Sequence, residues 1–254
     1  MTFDLKPGER LDDLQTKNLR IIQSDEVFSF SLDAVLLAHY VSLRNRDRVL
    51  DMGTGNGVIP LLLASRSDLP RREEIVGLEL QERLADMAQR NVSGNELEHT
   101  IKIVQGDLRE AIQHFGHESF DVVTCNPPYR PAGIGDASVN PHIAIARFEL
   151  TCTLEDVIVN AAKLLKFNGK FAMVHRPDRL PDIIALMRTH RLEPKRLLLV
   201  HPRAHLRPNI LLIEGIKGGK PELRIDPPLL VHTDDGVYTQ AIQDIYAGRG
   251  EFAR

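Results

Sequence analysis

Between Val49 and Ala64 a short apolar run, Val49-Leu50-Asp51-Met52, meets Gly53, Gly55 and Gly57 at alternate positions, and a second apolar run follows at once. That second run, Val58-Ile59-Pro60-Leu61-Leu62-Leu63-Ala64, is long enough for a helix. Few folds accommodate a strand that turns so sharply into a helix. Glycine permits the turn and lets a ligand approach the main chain without meeting a Cβ. The helix that follows aims its free N-terminal N–H groups at the same place. Spacing narrows the ligand. A dinucleotide fingerprint, G-x-G-x-x-G, needs glycine at position 58, where this chain has Val58. Asp51 would also repel a pyrophosphate. An acid two residues before the first glycine suits a ligand carrying positive charge, such as an ammonium or sulfonium group.

Apolar runs of strand length recur at 48–52, 74–79, 101–105, 120–125, 170–175, 196–200 and 210–216, with helix-like segments at 57–66, 81–92, 154–166 and 179–190. Such alternation predicts a doubly wound, Rossmann-like α/β fold with a seven-stranded, mainly parallel sheet. Lys166-Phe167-Asn168-Gly169 reads as a helix end, where Asn or Gly takes a left-handed conformation. About ten residues, including Pro202 and Pro208, join the last two strands; a parallel crossover needs a dozen or more, so the last strand should be antiparallel.

Three strand ends carry chemistry. Ile75-Val76-Gly77-Leu78 ends in Glu79, placed to bond ribose hydroxyls in a doubly wound sheet. Ile101–Gln105 ends in Gly106-Asp107, within reach of an adenine amine. Phe120–Cys125 ends in Asn126-Pro127-Pro128-Tyr129, an amide, a proline-fixed carbonyl and an aromatic ring. That set suits a planar substrate whose nitrogen lone pair is delocalised. Each acid taken alone could equally be a helix N-cap.

This order of motifs resembles the class I S-adenosylmethionine-dependent methyltransferases that act on amino groups. More narrowly, Phe28-Ser29-Phe30-Ser31-Leu32-Asp33-Ala34-Val35-Leu36-Leu37 and Ala146-Arg147-Phe148-Glu149 are similar to stretches of the bacterial tRNA-Val adenine-N6 methyltransferases. The likeness runs from about Leu14 to about Lys217, and the tail from Gly218 has no counterpart in it. The resemblance implies S-adenosylmethionine as cofactor, contacted by Phe30, Asp33, Asp51, Gly53, Gly55, Gly57, Glu79, Asp107 and Asn126. It implies catalysis by Asn126, Pro127 and Tyr129 on an RNA adenine, that next to the anticodon of tRNA-Val. Methylation of protein glutamine or of guanine N2 uses the same tetrapeptide, and a cofactor-binding RNA chaperone is the non-enzymatic alternative.

Three regions are expected: a lead-in, 1–45, packed over the cofactor; the catalytic domain, 46–217; and an extension, 218–254. The loop 130–145, rich in Gly, Pro and Asn, is placed like a lid. No apolar run approaches the ~18 residues of a membrane span, and the first ten residues lack a leader's apolar stretch, so a cytoplasmic protein is expected. Cys125 and Cys152 form no C-x-x-C pair, and His114 and His117 lack a third ligand, so no metal is expected. The net charge of −3 is unpromising for a tRNA partner, but eight cations face three acids between His175 and Arg207. Arg176, Arg203 and Arg207 are the candidate phosphate contacts, the latter two on a loop between strands.

Overall fold

The computed structural model describes residues 2–27, 31–66, 74–127 and 152–248. The lead-in forms a hairpin of β1 (Glu9–Asp13) and β2 (Arg20–Ser24), followed by α1 (Leu32–Tyr40). The main sheet is built from β3 (Arg48–Met52), β4 (Glu74–Glu79), β5 (Ile101–Gln105), β6 (Phe120–Cys125), β7 (Leu165–His175), β8 (Leu192–His201) and β9 (Ile210–Lys217). Their spatial order is β8-β9-β7-β6-β3-β4-β5. All neighbours pair in parallel except β9, which is antiparallel to both β7 and β8. This is the expected mainly parallel sheet with an antiparallel last strand. The tail adds two strands of two residues, β10 (Arg224–Ile225) and β11 (Leu229–Leu230), both against β8.

Burial sets the register. Side chains along a strand alternate between faces, and Val49, Ile75, Val122, Ala172 and Val174 join one core cluster. Leu50, Val76, Val123, Phe171 and Met173 join the other. The first cluster is closed by α1, by α2 (Val58–Ser65) and by Ile242 and Ile245 of the tail helix α7 (Gln240–Tyr246). The second is closed by α5 (Leu154–Leu164) and α6 (Leu180–Thr189), with Ala111 of the short helix α4 (Ala111–Phe115).

One expectation changes. Lys166–Gly169 is not a helix end: α5 stops at Leu164 and β7 begins at Leu165. Both leucines are fully buried, which draws the chain straight into the sheet. Asn168 does take a left-handed conformation (φ 62°), but inside an irregularity where Phe120 pairs with Leu165 and Val122 with Lys170. The hairpin β1–β2 was not foreseen from the sequence. Its outer partner is side chains of α3 (Glu82–Gly94) and its cap, in place of another strand. Asn91 Oδ1 accepts the Ile22 N–H at 2.6 Å, and Asn95 Oδ1 accepts that of Arg20 at 3.0 Å. Asn91 Nδ2 also donates to the carbonyl of Asn56 in the glycine loop at 2.9 Å, and Asn56 Nδ2 to that of Ile22 at 3.1 Å. Arg90 clasps both Glu9 oxygens at 2.7 Å.

Asn91 thus joins lead-in, α3 and glycine loop at a fully buried point. Asn91→Ala leaves a donor and an acceptor buried and unpaired, each costing ~1–3 kcal/mol. We expect a loss of roughly 2–4 kcal/mol by urea denaturation; a loss under ~1 kcal/mol would show that water replaces the amide.

Candidate active site

In register, Met52 lies opposite Leu78 on one side and Cys125 on the other. The three parallel strands therefore end together, and the next residues, Gly53, Glu79 and Asn126, fall on one edge. β5 continues the row, since Glu79 pairs with Gln105 and Gly106 donates to the Glu79 carbonyl at 2.9 Å. The edge opens into a cleft of about 980 Å³, counting the space open to solvent at its mouth. Among the described residues its walls include Ala34, Gly53–Asn56, Glu79, Asp107, Asn126, Pro127 and Cys152.

The glycine loop is held from the neighbouring strand. Leu78 O accepts both Gly53 N–H (2.9 Å) and Thr54 N–H (3.0 Å), and Glu79 Oε2 accepts Gly55 N–H at 2.8 Å. Gly53 and Gly55 have φ of 71° and 59°, and a Cβ on either would stand in open space. They serve the turn and leave bare backbone facing the cleft. Gly57 (φ 85°) has a second duty, because a Cβ there would lie 3.2 Å from that of Ala88 on α3. Gly77 was not singled out from the sequence: a Cβ on it would meet Thr54 at 2.9 Å, so it seats the loop from below.

Asp51 lies beneath the loop, off the cleft wall, and is fully buried. Its Oδ1 accepts the Thr124 hydroxyl at 2.7 Å, while Oδ2 is buried without a partner. Burial raises its carboxyl from 3.8 to about 7; the Thr54 and Thr124 hydroxyls oppose the rise and the charge of Glu79 adds to it. Glu79 is also raised by burial, although the Gln81, Gly55 and Leu80 N–H groups favour its charged form. Asp107 caps a 3-10 turn by accepting Arg109 N–H at 2.9 Å, and that arginine's side chain holds its carboxyl below the ordinary range. Among the described residues the cleft lining contains Glu79 and Asp107 and no cation. Bare loop backbone, Glu79 on the lining and the buried Asp51 beneath the loop fit a ligand carrying positive charge.

Other sequence candidates fall as follows. Asp33 sits in the first turn of α1, next to Ala34, which lines the cleft. Phe30, Tyr129 and the loop 130–145 lie outside the described residues. His114 and His117 are exposed. β8 runs parallel to β7, both being antiparallel to β9, so Arg176 and the β8–β9 loop with Arg203 and Arg207 emerge on the cleft's edge of the sheet. Arg176 pairs with Asp178 at 3.4 Å, whereas Arg203 and Arg207 make no ion pair among the described residues. Asn91 and Asn56 were missed. A signal existed: Asn91 and Asn95 continue the apolar face Leu84–Ala88 at helical spacing, which demands a buried partner.

The methyltransferase small-domain profile matches residues 18–185. The chain belongs to that family. A methyltransferase-domain relative from Porphyromonas gingivalis W83, a "tRNA1(Val) (adenine(37)-N6)-methyltransferase", is 32% identical over 167 residues, covering 65% of this chain and 64% of its own length. A protein of the same name from Dickeya chrysanthemi is 29% identical over 248 residues, 96% of each chain. Among solved structures, a predicted O-methyltransferase, Atu636 from Agrobacterium tumefaciens, aligns at a TM-score of 0.69 and 25% identity, covering 87% of this chain and 99% of its own. The likeness in fold extends to the M. jannaschii tRNA m1G37 methyltransferase, with a TM-score of 0.59 at 18% identity over 84% of this chain and 58% of that one.

The raised Asp51 carboxyl has a thermodynamic signature. A fold that holds this proton more tightly than the unfolded chain is penalised as pH rises from 3.8 to about 7, and the penalty is absent below that interval. Asp51→Asn removes it. The stability of the variant relative to wild type should grow across that interval in urea denaturation at successive pH values; a constant difference would mean that Asp51 is ionised throughout.

Proposed function

We propose that this chain transfers the methyl group of S-adenosylmethionine to the N6 amine of an adenine in tRNA, the position-37 adenine of tRNA1(Val), in the cytoplasm. The observation that carries the reading is the placement of Asn126 and Pro127 on the rim of the acidic, glycine-floored cleft. The names of the relatives support the choice of substrate.

When bound, the cofactor supplies an electrophilic methyl on a cationic sulfur. The chain's residues orient it. Gly53 and Gly55 present backbone to its amino-acid end, and the negative potential of Asp51 under the loop favours its charge. Glu79 holds the ribose: both its oxygens already accept N–H groups, from Gly55 and Gln81, and a carboxylate has lone pairs left for hydroxyls. Asp107, fixed by Arg109, takes the adenine side. Phe30 and Asp33 complete the methionine end.

The target amine is a poor nucleophile, since its lone pair is spread into the ring. Asn126 Oδ1 and the Pro127 carbonyl each accept one of its N–H bonds, which turns the lone pair toward the methyl. Each bond contributes only ~0.5–1.5 kcal/mol net, so alignment provides much of the acceleration. Tyr129 stacks on the base, worth ~1–3 kcal/mol. The methylated nitrogen then loses its proton to water. An adenine in a loop reaches such a pocket at low cost, because it is already single-stranded. Arg176, Arg203 and Arg207 hold phosphate on the same edge.

Incubation with methyl-labelled cofactor and total tRNA, followed by nucleoside analysis, should place label in N6-methyladenosine; label in protein or in N2-methylguanosine would overturn the reading. Asn126→Ala should bind cofactor with near-normal affinity and lose turnover by roughly a hundredfold or more, the scale of removing one aligned polar group from a reacting centre. Retained turnover would remove Asn126 from the mechanism.

A further inference from the structure

The tail beyond Lys217 was expected to have no counterpart, but the alignment with the Dickeya chrysanthemi protein over 96% of this chain takes in most of it, and it folds back onto the edge that carries the cleft. β11 pairs with the end of β8, Val231 N–H donates to the His201 carbonyl at 2.9 Å and His232 N–H to that of Pro202 at 3.0 Å. The chain then makes a tight turn, with Thr233 N–H on the Val237 carbonyl at 2.9 Å. This turn lies against the β8–β9 loop: His205 Nδ1 stands 3.8 Å from Asp234 Oδ1, and a Cβ on Gly236 would lie 3.4 Å from the Arg203 guanidinium.

Three aromatic rings follow one another beside that junction. His232 stacks on Tyr238 with centroids 5.0 Å apart and planes 20° from parallel, and Tyr238 leans on Tyr246 at 5.8 Å. Tyr246 belongs to α7, which packs on α1, the helix whose Ala34 lines the cleft. The row thus leads from the element packed behind the cleft wall to the basic loop. Its middle is uncovered: Tyr238 is 42% exposed, and its neighbour Val237 59%. Arg203 and Arg207, at the far end of the row, have no acidic partner among the described residues. Two acids, Asp234 and Asp235, share the turn, and Asp234 is the one beside His205.

The geometry points to a docking surface for the single-stranded loop of the RNA substrate, in which a base flanking the target packs on the exposed part of Tyr238, the middle ring of the row, and Arg203 and Arg207 hold the adjoining phosphates. It rests on the RNA-methylation reading and gives the tail a task within it. Aromatic faces accept any base, and unpaired guanidinium groups supply the charge complement; together they make a sequence-tolerant single-strand track. A protein partner would be served by the exposed apolar groups but would leave the two arginines without a role.

The test is RNA binding by fluorescence anisotropy on the full chain, with a labelled anticodon stem-loop at several salt concentrations, alongside steady-state methylation. Tyr238→Ala should raise both the RNA Kd and the RNA KM roughly tenfold, the scale of one lost base stack, with kcat at saturating RNA and cofactor affinity unchanged. Tyr238→Phe should stay near wild type. Arg203→Ala with Arg207→Ala should weaken binding and flatten its salt dependence by about one to two phosphate contacts. Phe167→Ala is the control. That ring is 68% exposed at the opposite edge of the sheet, so its loss should change nothing. The arginine pair lies outside the core, so its result stands even if Tyr238→Ala disturbs the tail. Wild-type RNA affinity in both Tyr238→Ala and the arginine double variant would overturn the surface. A wild-type chain that binds no RNA would overturn it together with the functional reading. Variants that lose RNA while the wild type yields no N6-methyladenosine would overturn the functional reading alone.

Discussion

The register of β3 between β4 and β6 is the constraint on which the site depends. A slip of one residue in a strand moves every side chain to the other face. Here Val49 and Leu50 feed two separate core clusters, so any slip would place the wrong set in each. With Met52 held level with Leu78 and Cys125, the strands must stop together. The glycine loop then finds its acceptors on the next strand, at Leu78 and Glu79. The loop's shape is thus a property of the sheet, and Gly77 matters because it leaves room for Thr54 beneath.

The same arrangement places two acids, Asp51 and Glu79, in surroundings that disfavour their charge. A buried carboxylate lacking a counter-ion weakens a fold. On the function proposed above, a positive charge entering the cleft over the loop would offset that cost, and Asp51 would link stability to cofactor binding.

Much of this was legible in the chain itself. The alternation of apolar runs announces the parallel sheet, the short proline-bearing connection announces the reversed last strand, and the three strand ends announce the rim. What escaped has physical causes. The β1–β2 hairpin relies on Asn91 and Asn95 in place of a strand partner, and no periodicity encodes that. β10 and β11 are two residues each, too short for an alternation to register. Helix α1 is buried from Ala34 to Ala38, so its phase is not readable from polarity, and Ala34, next to Asp33, was not foreseen on the cleft wall. The acid before the glycines was expected beside the ligand, but Thr124 holds it under the floor.

The helix that carries Ala34 is clamped at both ends by residues from the far end of the chain. At its C-terminus, the Arg196 guanidinium lies 4.3 Å over the Tyr40 ring and pairs with Asp226 at 2.8 Å. Both partners of that pair are nearly buried, so removing one leaves an uncompensated charge, a far larger loss than for an exposed pair. Beside it, Glu214 of β9 accepts the Ser42 N–H at 2.7 Å. At the other end, α7 packs on α1, and Thr16 of the lead-in donates to the Tyr246 carbonyl at 2.6 Å. Lead-in and tail therefore meet each other as well as the sheet. The tail is part of the same core as the wall of the cleft, and a change that loosens it acts on both the basic edge and the helix that lines the cleft.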